Sequence, residues 1–205
     1  MKTKQVLVPT CFLALLYLSG CATFQVSGDF QAGRNALQTG RAADAVGYLT
    51  RAADLDPGYK TSYRFQAGVL AYLGRAYYET GKDADARAAL EKAVAIDNTD
   101  ALAHLYLGLT LLRSGDGARG RKEIEDGLKA IDDTLEYIAT DRTRGIFWDP
   151  ARRIRNDIRN TLAAKSDAAA LAMAAERIGR DIDEEIDKAR RDEANSRSAG
   201  DSGSM

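Results

Sequence analysis

Residues 73–93 read LGRAYYETGKDADARAALEKA, and this stretch decides the fold. Small residues such as Gly74, Ala86 and Ala93 recur among large apolar ones at steps of three and four, which places them on one face of a helix. Gly81 separates two such stretches, at the kind of position where the left-handed end of a helix favours glycine. The stretch therefore predicts two helices joined by a tight turn.

Two further copies of this pattern flank the stretch. Residues 107–127 repeat it 34 residues later, and residues 33–52 give a weaker copy 41 residues earlier. Gly40 and Gly115 stand where Gly81 stands in the middle copy. Self-similarity at a fixed period is typical of stacked helical repeats, and the sequence has no alternating strand pattern. We therefore predict an all-α fold.

The middle and third copies resemble the tetratricopeptide repeat (TPR), a helix–turn–helix unit of 34 residues. Gly74 and Tyr77 match the first-helix pattern of that family, and Ala86 and Leu90 match the second. The resemblance covers roughly residues 26–134. It implies a TPR-type solenoid of about three repeats, with a partner bound in the concave groove lined by the first helix of each repeat.

The resemblance also identifies candidate groove residues at matching positions of the three repeats. Two arginines at equivalent positions can fork onto carboxylates of a bound peptide, while tyrosine and leucine supply apolar contact. These groove candidates are Arg34, Leu37 and Gln38 in the first repeat, Arg75, Tyr78 and Glu79 in the second, and Leu109, Leu112 and Arg113 in the third.

Two irregularities interrupt the repeat pattern. The interval from Gly33 to Gly74 exceeds the 34-residue period by seven residues, almost two helical turns. We expect one long helix over Lys60–Thr80 rather than an extra loop, because the inserted segment has no Gly or Pro after Gly58. Gly120 and Gly127 replace alanine in the second helix of the third repeat, where each costs about 1 kcal/mol relative to alanine. Either this helix packs very closely on its neighbour or it frays, and we favour close packing.

The C-terminal third departs from the repeats and carries two amphipathic stripes. A helix over Pro150–Leu162, begun by Asp149, is expected to cap the exposed apolar end of the stack. The second stripe, Leu171–Ile186, is compatible with docking on the stack, pairing with another copy or binding a partner. Its acid cluster Asp183-Glu184-Glu185 is interpreted as a solvated face. A further interpretation places Ile146-Phe147-Trp148 in the groove, as a plug or strap.

The N-terminus resembles a bacterial lipoprotein signal peptide. Two lysines precede the apolar run Val6–Leu18, which is too short to span about 30 Å of hydrocarbon. Leu18-Ser19-Gly20-Cys21 resembles the lipobox, in which the cysteine is acylated and the chain is cut before it. The resemblance implies that residues 1–20 are removed and that lipid on Cys21 is the anchor. Because Ala22 rather than aspartate follows, it also implies the outer membrane, facing the periplasm.

The remaining residues offer no catalytic constellation. His104 is the single histidine, no Gly-X-Ser-X-Gly motif is present, and Cys11 lies inside the signal peptide. The formal charge of −1, or −3 after loss of the two signal lysines, argues against a nucleic-acid partner. We predict that the protein is not an enzyme and has no cofactor and no metal site.

These features divide the chain into five segments and suggest three functions. The leading hypothesis is a lipid-anchored, periplasm-facing TPR scaffold that binds a protein or peptide partner in cell-envelope assembly. The alternatives are a small-ligand or solute-binding lipoprotein associated with a transporter, and a structural lipoprotein that self-assembles into a homo-oligomer. The segments are a cleaved signal (1–20), a lipidated tether (21–28), TPR repeats (29–134), a C-terminal helical cap or extension (135–194) and a disordered tail (195–205).

Overall fold

The computed structural model describes residues 24–61, 63–164 and 167–202, and side chains up to residue 198. The signal peptide and Cys21 lie outside the described residues. Within the described ranges the chain is all-α and contains no strand. Its helices are α1 (residues 24–38), α2 (Ala42–Leu55), α3 (Val69–Glu79), α4 (Asp83–Ile96), α5 (Ala101–Arg113), α6 (Gly117–Ala139), α7 (Arg153–Ala163) and α8 (Ala168–Ser202), with a single 3-10 turn at Gly145–Phe147.

The first six helices form three stacked hairpins, which confirms the prediction of an all-α, TPR-like solenoid. The turns within the hairpins contain Gly40, Gly81 and Gly115, whose φ angles are +73°, +73° and +89°. This left-handed conformation is disfavoured for residues with a Cβ atom, so glycine is required where the chain reverses. None of the helices in the described ranges has an apolar stretch long enough to cross a membrane.

Glycines also bring the two helices of the third hairpin into backbone contact. A Cβ atom on Gly127 of α6 would lie 2.6 Å from the backbone nitrogen of Leu105 and 2.9 Å from the carbonyl oxygen of Ala101. A Cβ atom on Gly120 would lie 2.8 Å from the nitrogen of Leu112. The interpretation of these two glycines as positions of close packing is confirmed.

We predict that Gly127→Ala destabilises the protein by about 1–3 kcal/mol, because its methyl group would collide with α5 backbone that cannot rotate away. Gly47→Ala is the matched control, since Gly47 is an exposed helical glycine where a Cβ atom would meet only the end of the Arg51 side chain, at an ordinary contact distance of 3.9 Å. There alanine should stabilise by about 0.5–1 kcal/mol through helix propensity alone. Urea unfolding followed by circular dichroism measures both, and a stabilised Gly127→Ala would contradict the close crossing.

The predicted long helix over Lys60–Thr80 is wrong, because α3 begins at Val69 and the described residues before it, 60–61 and 63–68, form a non-helical loop. An isolated antiparallel bridge between Lys60 and Gly68 closes this loop. The Gly68 N–H donates to the buried carboxylate of Asp100 at 2.7 Å, and Phe65 is buried in the core. These tertiary contacts outweigh the helix-compatible spacing of the inserted residues.

The C-terminal region starts later than predicted. Helix α6 continues past the expected repeat boundary at residue 134, because Leu135 and Ile138 extend its buried stripe. Helix α7 packs on α6, as expected of a cap, and buries Ile154 and Ile158. It begins at Arg153 rather than at Pro150.

The start of α7 is fixed by Asp149. Its carboxylate accepts hydrogen bonds from the backbone N–H groups of Ile154 and Arg155, both at 3.1 Å. Asp149 itself has a φ angle of +43°. The expectation that this aspartate caps the helix is confirmed, although the helix begins three residues beyond Pro150.

Both ends of the described chain are more helical than expected. Residues 24–28, assigned to the tether, belong to α1, because Val26 is buried in the core. Residues 195–202, assigned to a disordered tail, continue α8. Extending an existing helix costs far less than starting one, so α8 propagates beyond the last residue that it buries. Residues 203–205 lie outside the described part.

Candidate partner-binding groove

The first helices of the three hairpins, α1, α3 and α5, line one face of the stack, and α8 lies along that face. The apolar stripe of α8 is buried there, with Leu171, Ile178, Ile182 and Ile186 at most 2% exposed. The sequence left three alternatives for this stripe: docking on the stack, pairing with another copy, or binding a partner. In the structure it docks on the chain's own stack. The groove expected for a partner is therefore occupied by a helix of the same chain.

The centre of this contact is the carboxylate of Asp183, which is 1% exposed. Arg34 of α1 donates to its Oδ1 atom at 2.6 Å, and Arg75 of α3 donates to Oδ2 at 3.1 Å. The Tyr72 hydroxyl donates to Oδ1 at 2.8 Å. Charge-assisted bonds of this kind are the strong ones in proteins, so one carboxylate ties α8 to two repeats at once. The interpretation of this acid cluster as a solvated face is wrong for Asp183 and Glu185, which are buried, while Glu184 between them is exposed.

Two flanking acidic residues extend the contact along α8. Asp187 accepts from Arg34 at 3.2 Å and from the Gln38 amide at 2.6 Å. Glu176 accepts from the Tyr78 hydroxyl. Carboxylates at positions 176, 183 and 187 are separated by seven and four residues, so they form one narrow stripe along the helix.

The electrostatics of the groove favour donors that stay protonated. Burial acts to lower the pKa of Arg34 and of Arg75, but neighbouring tyrosines and Asp183 hold both values above the ordinary one. Burial, and secondarily Asp183, raises the pKa of Tyr72 well above its usual range, and burial and Glu176 raise that of Tyr78 to about 12. At neutral pH this face of the stack therefore presents cations and hydroxyl donors, which is a surface for carboxylates.

A close approach of α8 to α5 accompanies these polar contacts. A Cβ atom on Gly179 would lie 2.8 Å from the Tyr106 hydroxyl oxygen and 3.2 Å from Leu105 Cδ2. A larger side chain at this position would push α8 away from the stack. Gly179 therefore sets the depth at which the helix sits.

The structure brings six of the nine groove candidates to one cavity beside α8. This cavity has a volume of about 500 Å³ and is also bordered by Glu176 and Arg180 of α8. Arg113 stacks on Tyr78, with its guanidinium carbon 3.5 Å from the ring centroid, and donates to the Tyr78 carbonyl at 2.8 Å. The six candidates are Leu37, Gln38, Arg75, Tyr78, Glu79 and Arg113.

The other three candidates lie elsewhere. Arg34 is buried beneath α8 through its bonds to Asp183. Leu109 is 1% exposed in the core, and the side chain of Leu112 packs close to Gly120 of α6. Because Gly120 has no Cβ atom, Leu112 has room to pack against α6. The third repeat therefore contributes Arg113 to the cavity and not Leu112.

The segment Ile146-Phe147-Trp148 does not occupy the groove. Trp148 is buried and its indole N–H donates to Glu193 at 2.9 Å, while Ile146 is 58% exposed. The turn Gly145–Phe147 contacts α6 and α8. The role expected of this segment, filling the groove, belongs to α8, and Trp148 instead holds the far part of that helix.

Comparison with known families bears on the middle of the chain. Residues 74–115 match the family model described as TPR repeat. The match runs from α3 to the turn after α5, and TPR repeats indicate a scaffold for protein–protein interaction. A comparison with curated proteins finds no match.

We predict that Asp183→Ala releases α8, because it leaves Arg34 and Arg75 buried without their shared carboxylate. Breaking a buried ion pair in this way costs about 3–5 kcal/mol. Hydrogen exchange of the α8 amides measures the release. Glu184→Ala, at the exposed neighbouring position, is the control and should leave exchange unchanged; equal protection of α8 in both variants would contradict the role of Asp183.

Proposed function

We propose that this protein is a lipid-anchored, periplasm-facing scaffold that binds a protein or peptide partner in cell-envelope assembly. One observation carries the proposal. The face of the stack that TPR proteins use for partners is built here to hold a helix through arginine–carboxylate pairs, and Arg34 and Arg75 make those pairs with Asp183. A surface that already binds one helix has the shape and charge to bind another.

The proposed anchor would hold this groove close to the outer membrane. Cys21 lies three residues before residue 24, the first described residue of α1. Three residues span at most about 11 Å even when extended. An acylated Cys21 would therefore place the solenoid next to the bilayer, which favours a partner that is itself in or near the membrane.

The two alternative functions have weaker support. A self-assembling protein would use the stripe Leu171–Ile186, which here is buried against the chain's own stack. A solute-binding protein would use a cavity beside Trp148, but the cavity next to α8 is bordered by other residues. The occupied groove favours a macromolecular partner over both.

Lipidation can be tested separately from partner binding. We predict that the mature chain begins at an acylated Cys21, and that Cys21→Ser moves the protein from the membrane fraction to the soluble fraction. Mass spectrometry of the N-terminal peptide and membrane fractionation measure the two effects. A chain that retains residues 1–20 without acylation would overturn the proposed location.

Partner binding is tested by cross-linking the tagged full chain in intact cells and quantifying the recovered partner. Reversing Arg75 would also expel α8, so Arg113→Glu at the open cavity is the cleaner substitution. It should lower recovery of the partner about tenfold, because it removes a cation worth roughly 1.5–3 kcal/mol in a charge-assisted bond. Arg87→Glu is the matched control, since Arg87 is similarly exposed but lies on α4, a second helix. Equal recovery from both variants would refute binding at the groove.

A further inference from the structure

The hydrogen-bond donors of the groove are spaced to meet carboxylates at fixed positions along one helix. Tyr78 contacts Glu176, the group of Arg34, Tyr72 and Arg75 contacts Asp183, and Gln38 with Arg34 contacts Asp187. The acceptors all come from α8, and the donors all come from α1 and α3. Because the stack supplies the donors of these contacts and the helix supplies the acceptors, the groove is complementary to an acidic helix.

We propose that the partner presents an amphipathic helix with carboxylates at positions i, i+7 and i+11 and a small residue at i+3, and that α8 occupies the groove as a built-in substitute for it. This inference rests on the proposed function and specifies the partner's chemistry. Position i corresponds to Glu176, i+3 to Gly179, i+7 to Asp183 and i+11 to Asp187.

Charge complementarity supports a helix of this chemistry over an uncharged one. Arg34 and Arg75 are each at most 3% exposed. Under a purely apolar helix Arg75 would keep Glu79 of its own helix, at 2.7 Å, as its carboxylate partner, whereas Arg34 would lose both Asp183 and Asp187. Burying an unpaired charge is far more costly than burying an apolar group. The groove therefore rejects a purely apolar helix.

Steric fit supports the small residue at i+3. The space above Leu105 and Tyr106 is too shallow for a side chain at Gly179, where even a Cβ atom would lie within 3.2 Å of both residues. A partner helix with a bulky residue at this position could not reach the arginines. Both the shape and the charge of the groove therefore restrict which helices can bind there.

Displacement of α8 would leave the donors of α3 on the stack. Tyr72, Arg75 and Tyr78 belong to α3, which packs against α2, α4 and α5 as well. Helix α8 also contacts α7 and the turn Gly145–Phe147, and it would lose those contacts on leaving the groove.

The test uses two synthetic helical peptides and the purified full chain. One peptide carries Glu, Gly, Asp and Asp at i, i+3, i+7 and i+11 on an otherwise unrelated alanine–leucine scaffold; the other has glutamine at the three acidic positions. Two full-chain variants release α8 by different means: Asp183→Arg by charge repulsion and Gly179→Leu by steric clash. Fluorescence anisotropy measures binding of the labelled peptides.

We expect the affinity of the acidic peptide for both released variants to be at least about tenfold higher than its affinity for the wild type. Its affinity for these variants should also be at least about tenfold higher than that of the glutamine peptide. In the wild type, an excess of the acidic peptide should raise the hydrogen-exchange rate of α8, a result that does not depend on either variant folding. Equal binding of the two peptides, or binding to the wild type without a change in α8 exchange, would overturn the inference.

These outcomes are independent of the envelope experiment. Peptide binding needs neither lipid nor a cellular partner, whereas cross-linking with Arg113→Glu needs both. If the acidic peptide binds but no partner is recovered at the groove, the proposed function fails and the recognition chemistry stands. If a partner is recovered but the two peptides bind alike, the acidic-helix inference fails and the scaffold function stands.

Discussion

The arrangement of the C-terminal helices on the stack depends on the carboxylate of Asp183, held between two buried arginines from different repeats. Because Arg34 lies on α1 and Arg75 on α3, this single group fixes α8 across the stack and in one register. That register in turn buries the isoleucine stripe and places Glu185 where it accepts from the Asp149 backbone N–H at 2.6 Å. The turn before α7 is thus positioned by a helix that follows it in the chain.

Much of the solenoid could be predicted from the sequence because its contacts are local. In the second hairpin, Gly74 and Leu90 are close in sequence and meet where α3 crosses α4: a Cβ atom on Gly74 would lie 2.3 Å from Leu90 Cγ. A pattern of small and large residues records such a crossing directly. The loop before α3 could not be predicted in this way, because its conformation depends on the bond from Gly68 to Asp100, 32 residues further on.

The residues that line the groove could be predicted from the sequence, but the helix that occupies it, α8, could not. The positions of Arg34 and Arg75 follow from the repeat alignment, and so does their suitability for carboxylates. Their actual partner lies 149 and 108 residues away, in a segment whose acidic residues have the ordinary composition of a solvated helix. The spacing of Glu176, Asp183 and Asp187 places all three on one face of α8. It predicts a contact only in combination with the donors on α1 and α3, so the sequence of α8 alone could not identify it.

The chemistry of the contact distinguishes a permanent cap from an exchangeable occupant. Buried ion pairs are costly to desolvate, and well-packed apolar residues of similar volume often stabilise a protein as well or better. A helix that served solely to cap the stack would therefore gain little from Asp183, Arg34 and Arg75. What the ion pairs supply is selectivity, because the arginines demand a carboxylate at one position from any helix that enters. A groove with that demand, filled by a helix of the same chain that meets it, is what the proposed binding site with a built-in substitute ligand requires.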